Sequence, residues 1–112
     1  MALAQAPTPD GRRWRTSWTA THASTAFRGN WVDLAAPGTN ILSTRAGGGY
    51  NEESGTSESA PFVSALAGLL ASEGKTASEI RQRMQSTASD LGATGNDPKF
   101  GHGRINADRA VP

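Results

Sequence analysis

The chain has 112 residues, 36% of them hydrophobic and 19% charged, with a formal net charge of +1 and no cysteine. That length allows one domain or part of one. The composition excludes a disulfide framework and a thiolate metal site. The near-zero charge gives no general case for a nucleic-acid or membrane partner, and no apolar run approaches the ~20 residues that span a bilayer.

Residues 1–28 are basic, with Arg12, Arg13, Arg15 and Arg28 against Asp10 alone. They show neither the period of a strand nor that of a helix, no apolar h-region of a signal peptide, and two tryptophans, Trp14 and Trp18, without an apolar stripe to join. This stretch is expected to be a disordered or non-homologous arm. From Trp31 to Ala35 the chain is apolar with β-branched Val32 and predicts a short strand. Pro37-Gly38 suits the centre of a type II turn. Asn40 to Thr44 predicts a second strand, Gly47-Gly48-Gly49 a flexible connection, and Glu52-Glu53 a solvated loop before Ser54.

The stretch Ser54 to Ala71 organises the rest. It begins small and polar, then becomes an apolar helical run with Phe62, Val63, Leu66, Leu69 and Leu70. Those spacings predict a helix buried over a broad face. Pro61 lacks an N–H and belongs in a first helical turn, so the helix is expected to start between Ser57 and Ala60. A serine at that place has two readings. It is the helix cap, the usual role of Ser, Thr or Asp there; or it is a nucleophile, held where free amides and the helix dipole favour an oxyanion. Gly55 would let the backbone turn sharply and leave room for a substrate carbonyl. Gly74 is placed to end this helix. Thr76-Ala-Ser-Glu79 forms a capping box for a second helix, whose stripe is Ile80, Met84 and Ala88 and whose Arg81, Gln82, Arg83 and Gln85 face water. Gly92 to Gly103 is a loop, and Asn106 to Val111 a short terminal helix.

Three motifs decide between the readings of Ser57. Trp31-Val-Asp-Leu-Ala-Ala-Pro-Gly38, then Gly55-Thr-Ser57 with Pro61 four residues on, then Gly101-His-Gly-Arg-Ile-Asn-Ala-Asp-Arg-Ala-Val111 resemble the subtilisin-like serine proteases, peptidase S8. That family carries V-D-x-x-A-P-G, G-T-S-x-x-x-P with the serine as nucleophile, and a closing G-x-G-x-x-N-A-x-x-A-V. The resemblance covers about Gly29 to Val111. It implies an α/β fold, the C-terminal portion of a three-layer parallel-sheet domain, incomplete, over residues 29–112. It also implies Ser57 as nucleophile, a polypeptide substrate and an extracellular setting. A core strand would precede Gly29 in that family, and none is readable in residues 1–28.

Serine hydrolysis also needs a base, a carboxylate that orients it, and oxyanion donors. In the family the catalytic aspartate, histidine and oxyanion asparagine precede the serine by more residues than stand before Ser57, so none carries over. The Ser57 backbone N–H, part of the oxyanion hole, does. Asp33 matches a structural position. His22 lies in the arm and His102 within the closing motif, away from the nucleophile, and neither is expected to act as base. No cofactor or metal is expected. Glu58 stands where methionine is usual, and Phe62 where histidine is common. The chain alone is therefore expected to be inactive, to bind a hydrophobic dye strongly through its uncovered helix, and to unfold without a cooperative transition. A sharp two-state melt would count against this. A reading from a different class is a non-enzymatic complementing module that docks on a chain supplying the missing half.

Overall fold

The structure is a computed structural model that describes residues 28–111, with the backbone of residues 16–18. Its elements are β1 (Thr16–Trp18), β2 (Leu34–Ala36), β3 (Ile41–Thr44), β4 (Tyr50–Glu53), α1 (Thr56–Ser72), α2 (Ala77–Thr87) and α3 (Ala107–Ala110). β1 runs parallel to β2, with Thr16 opposite Leu34 and Trp18 opposite Ala36. The sequence shows no element there, because three residues are too few for a pattern and the register comes from β2. The remainder of the expected arm, His22 included, lies outside the described residues.

β2 is buried along its whole length, so no alternation marks it. Its other edge meets the closing segment. The amide of Ala35 donates to the Gly103 carbonyl at 2.9 Å, and that of Ile105 donates to the Ala35 carbonyl at 2.9 Å. Arg104 bridges in turn to Ser89. The two glycines of this motif exist for that approach. A Cβ on Gly101 (φ 61°) would stand 2.3 Å from the Asp33 carbonyl oxygen, and one on Gly103 (φ 113°) 2.2 Å from that of Ser89.

α1 lies across this layer and buries Val63, Leu66 and Leu70 against Leu34 and Ala36, while Ile80, Met84 and Ala110 close the core from α2 and α3. Leu34, Leu70 and Met84 are among the fully buried side chains, each contributing about 1.5–3 kcal/mol by its removal from water. Phe62 and Leu69 face outward, 42% and 52% exposed, so the stripe expected to be buried broadly is narrower.

Several local expectations change. α1 begins at Thr56, which places Pro61 in its second turn rather than its first. The earlier start forgoes the bond that Pro61 cannot donate to the Ser57 carbonyl and sets the proline ring against that carbonyl. Gly38 does not take the positive φ of a type II turn; Asn40 takes one instead, at 51°. Glu52 and Glu53 are not loop but half of the antiparallel hairpin β3–β4, whose turn Arg45 to Gly49 holds three positive-φ glycines. Arg81, Arg83 and Gln85 turn back onto the body. Arg81 Nη2 meets Asp33 Oδ1 at 2.8 Å, Gln85 Nε2 reaches the same oxygen at 3.5 Å, and Arg83 Nε donates to the Ala110 carbonyl at 2.9 Å.

The capping box of α2 forms as expected. Thr76 Oγ1 accepts from the Glu79 amide at 3.4 Å, and the Glu79 carboxylate accepts from the Thr76 amide at 2.7 Å. The hydrogen bonds from the Thr76 side chain and backbone hold the Glu79 carboxyl below its ordinary value of 4.5. A depressed carboxylate stabilises the fold above the unfolded pKa and ceases to as pH falls through the folded one. Relative to unstructured amides at the same pH, protection of the first turn of α2 should therefore fall as pH drops below 4.5, and Glu79→Gln should remove that dependence.

Candidate functional site

Ser57 occupies the second position of α1 and is exposed. The cap is Gly55, which makes no side-chain capping bond, so the cap reading of Ser57 falls away. The first four amides of a helix have no intrahelical acceptor. Without a capping side chain, the Ser57 N–H stays available to an anionic oxygen beside its own hydroxyl. Gly55 itself is extended (φ 165°), a conformation open to any residue, so the expected sharp turn is absent. Its missing side chain matters for space, since a Cβ there would lie 2.7 Å from Glu58 Oε2.

Two bonds fix this corner to the chain after β2. The Gly55 amide donates to the Gly38 carbonyl at 2.8 Å, and the buried Ser59 hydroxyl donates to the Ala36 carbonyl at 3.1 Å. A third tie joins Ser54 to Asn40, whose amide donates to Ser54 Oγ at 2.9 Å. Residues on both sides of Ser57 are thus held to the Ala36-Pro37-Gly38 segment, which explains why the first two motifs belong together. Ser59 and Ser54 are the anchors that sequence reasoning missed. A polar residue recurring inside an apolar helix was the signal for Ser59.

An open cleft of about 470 Å³ lies beside Ser57. The hairpin supplies Ile41 to Thr44 and Glu53, and α1 supplies Ser57, Glu58, Pro61, Phe62 and Ala65. No histidine among the described residues lines it. The amide of His102 donates to the Asp33 carbonyl at 2.9 Å, and the Asp33 side chain is taken up by Arg81, so both residues act in the packing of the closing motif. Two threonine hydroxyls, Thr56 Oγ1 next to the serine and Thr39 Oγ1 after Gly38, are buried with no hydrogen-bond partner among the described residues. No group of three or more His, Cys, Asp or Glu among the described residues is placed to hold a metal, and no described helix is long and apolar enough to cross a membrane. Among the described residues the corner therefore offers an exposed hydroxyl, a free amide and a cleft, without a histidine beside them.

Comparison with known proteins fits this partial site. The profile of the subtilase family, peptidase S8, matches residues 13–103, so the match opens within the stretch whose composition resembles an arm. A thermophilic serine proteinase of a Bacillus strain is 47% identical over 89 residues, covering 80% of this chain and 22% of that protein. Thermitase of Thermoactinomyces vulgaris is 46% identical over 83 residues, covering 74% and 29%. Among solved structures, MycP1 of Mycobacterium smegmatis superposes with a TM-score of 0.75 at 28% identity, over 89% of this chain and 30% of that one. The chain thus spans less than a third of the length of each of these relatives.

Proposed function

The chain belongs to the subtilase family, and from that premise we propose that it is the nucleophile-bearing C-terminal part of a serine endopeptidase domain, whose three-layer parallel sheet is completed by residues not in these 112. The observation that carries the reading is the exposed Ser57 on an uncapped helix N-terminus at the edge of a cleft. Ser57 Oγ attacks the peptide carbonyl of a polypeptide. The Ser57 N–H donates to the oxyanion that forms; its collapse breaks the C–N bond, the amine leaves with the proton taken from the hydroxyl, and water then hydrolyses the acyl-enzyme on Ser57 to release the acid.

The base that takes the hydroxyl proton, its orienting carboxylate and the oxyanion asparagine are contributed from elsewhere in the complete domain. The outward Phe62 and Leu69 face of α1 supports this, since an exposed apolar face marks a place for a packing neighbour. The same face favours the second reading, a complementing module that docks on a separate chain. No cofactor, nucleic acid or membrane enters either reading, and the setting is extracellular as in the family. Mixing the chain with the N-terminal part of a related catalytic domain tests the pair. Restored fluorophosphonate labelling of Ser57 supports docking in trans; labelling only when the two parts share one polypeptide supports the fragment reading. Rapid labelling of the chain alone would overturn both.

A further inference from the structure

We infer that Glu58 sets the acid limit of the proposed hydrolysis, because its carboxylate raises the proton affinity of the base that serves Ser57. The inference rests on the nucleophile reading of Ser57 and adds a residue to it. Glu58 follows Ser57 directly, in the first turn of α1. Its partly exposed side chain folds back toward the start of the helix. A Cβ on Gly55 would stand 2.7 Å from Glu58 Oε2 and 3.8 Å from the Ser57 amide nitrogen, so carboxylate and amide both lie within 4 Å of one point. The backbone is fixed on either side of Glu58, by the Gly55 amide on the Gly38 carbonyl and by the buried Ser59 hydroxyl on the Ala36 carbonyl. Among the described residues no lysine or arginine pairs with Glu58. The hairpin beside it turns one titratable group to this corner, Glu53, whose carboxylate accepts from the Asn51 side chain.

A base that takes the Ser57 proton must come within hydrogen-bonding reach of its hydroxyl, about 2.6–3.2 Å. It then stands within several ångströms of the next residue in the helix. A neutral base becomes a cation when it takes the proton, and a nearby anion favours that form. At a separation of roughly 6–8 Å, in a medium between bulk water and a protein surface, the attraction moves the base's titration upward by about 0.5–1 pH unit. Hydrolysis begins from the unprotonated base. The acid limb of the rate profile therefore lies at higher pH with the carboxylate present, and at lower pH once it is removed. Salt screens an exposed pair, so the difference narrows as ionic strength rises. Methionine, usual at this place in the family, carries no charge and has no such effect. The shift is a property of this chain.

The test joins this chain behind the upstream part of the Bacillus thermophilic serine proteinase. In that fusion kcat/KM and the rate of fluorophosphonate labelling are followed from about pH 5 to 10 for the parent, Glu58→Gln, Glu58→Met and Glu58→Asp. Glu53 is present in all four, so the comparison reads Glu58 alone. The acid limb of the two neutral variants should lie about 0.5–1 pH unit below that of the parent, and Glu58→Asp should keep most of the parent's position. The gap should shrink in about 1 M salt. The position of the limb is the readout, not the height of the plateau. Rates that fall at every pH while the limb stays in place mark a structural role and overturn the inference, leaving the nucleophile intact. Cleavage that persists in a Ser57→Ala fusion overturns the nucleophile reading and the inference with it. If the fusion does not cleave, the proteinase itself decides, with glutamate placed directly after its own nucleophile. Its acid limb should rise by the same amount, and a limb that stays in place overturns the inference.

Discussion

Joined behind the upstream part of a relative's catalytic domain, this chain should hydrolyse peptides, and Ser57→Ala should lower kcat by about 10⁶, the scale on which a subtilisin loses activity with its nucleophile. The unjoined chain should show no turnover. The structure gives the reason for the difference. Ser57 is exposed, its amide is free of a cap, and the residues around it are tied to Ala36 and Gly38, so the hydroxyl and the helix amide stand where the proposed reaction would use them. Among the described residues that line the cleft there is no histidine to take the proton. A neutral serine hydroxyl is a weak nucleophile, and a positioned base alone accounts for about 10²–10⁴ in rate. Ser59→Ala is the control for a structural serine. It removes a buried hydroxyl bond worth about 1 kcal/mol and should leave Ser57 open to labelling in the fusion. If the Ser57→Ala fusion still cleaved at the parent rate, the nucleophile would lie elsewhere.

Gly103→Ala should destabilise the same fusion by about 4 kcal/mol or more, the largest single effect on folding expected here. Two costs combine. The residue sits at φ 113°, where an L side chain is strained, and its Cβ would stand 2.2 Å from the Ser89 carbonyl oxygen. That oxygen accepts from the Arg104 amide at 2.9 Å and cannot withdraw without breaking the bridge that joins the closing segment to Ser89. Gly48→Ala provides the comparison. It has a similar φ of 101° with nothing within 4 Å of the added carbon, so only backbone strain of about 1–2 kcal/mol applies. Urea titration with pulse proteolysis of the two fusions reads the contrast. Equal losses would mean that φ, rather than crowding, sets the requirement for glycine.

How far the sequence reached depends on the range of the interaction that places each residue. The capping box of Thr76 and Glu79, the end of α1 near Gly74, and the short helix capped by Asn106 were legible because each is settled within about four residues. The motifs around Asp33, Ser57 and Gly101 were legible as a resemblance, and the structure supplies their cause: each holds atoms of another. The roles of individual polar residues were not legible. Arg81 looks solvated by its place on α2, yet it bonds a carboxylate 48 residues away. Glu53 looks like loop until β3 pairs with it, and only then does it face the cleft.

The sequence by itself determined the family and the second helix with its cap, and it carried the expectation of Ser57 as nucleophile. Tertiary structure alone decided where α1 begins, which of its apolar residues meet the core, that residues 16–18 run beside β2, and which carboxylates share a cleft with Ser57. The division is physical. Caps and periodicity act through bonds and neighbours a turn apart, so they are written locally. Burial, strand register and the cleft between the hairpin and α1 depend on which segments pack together, and no window of the chain contains that information.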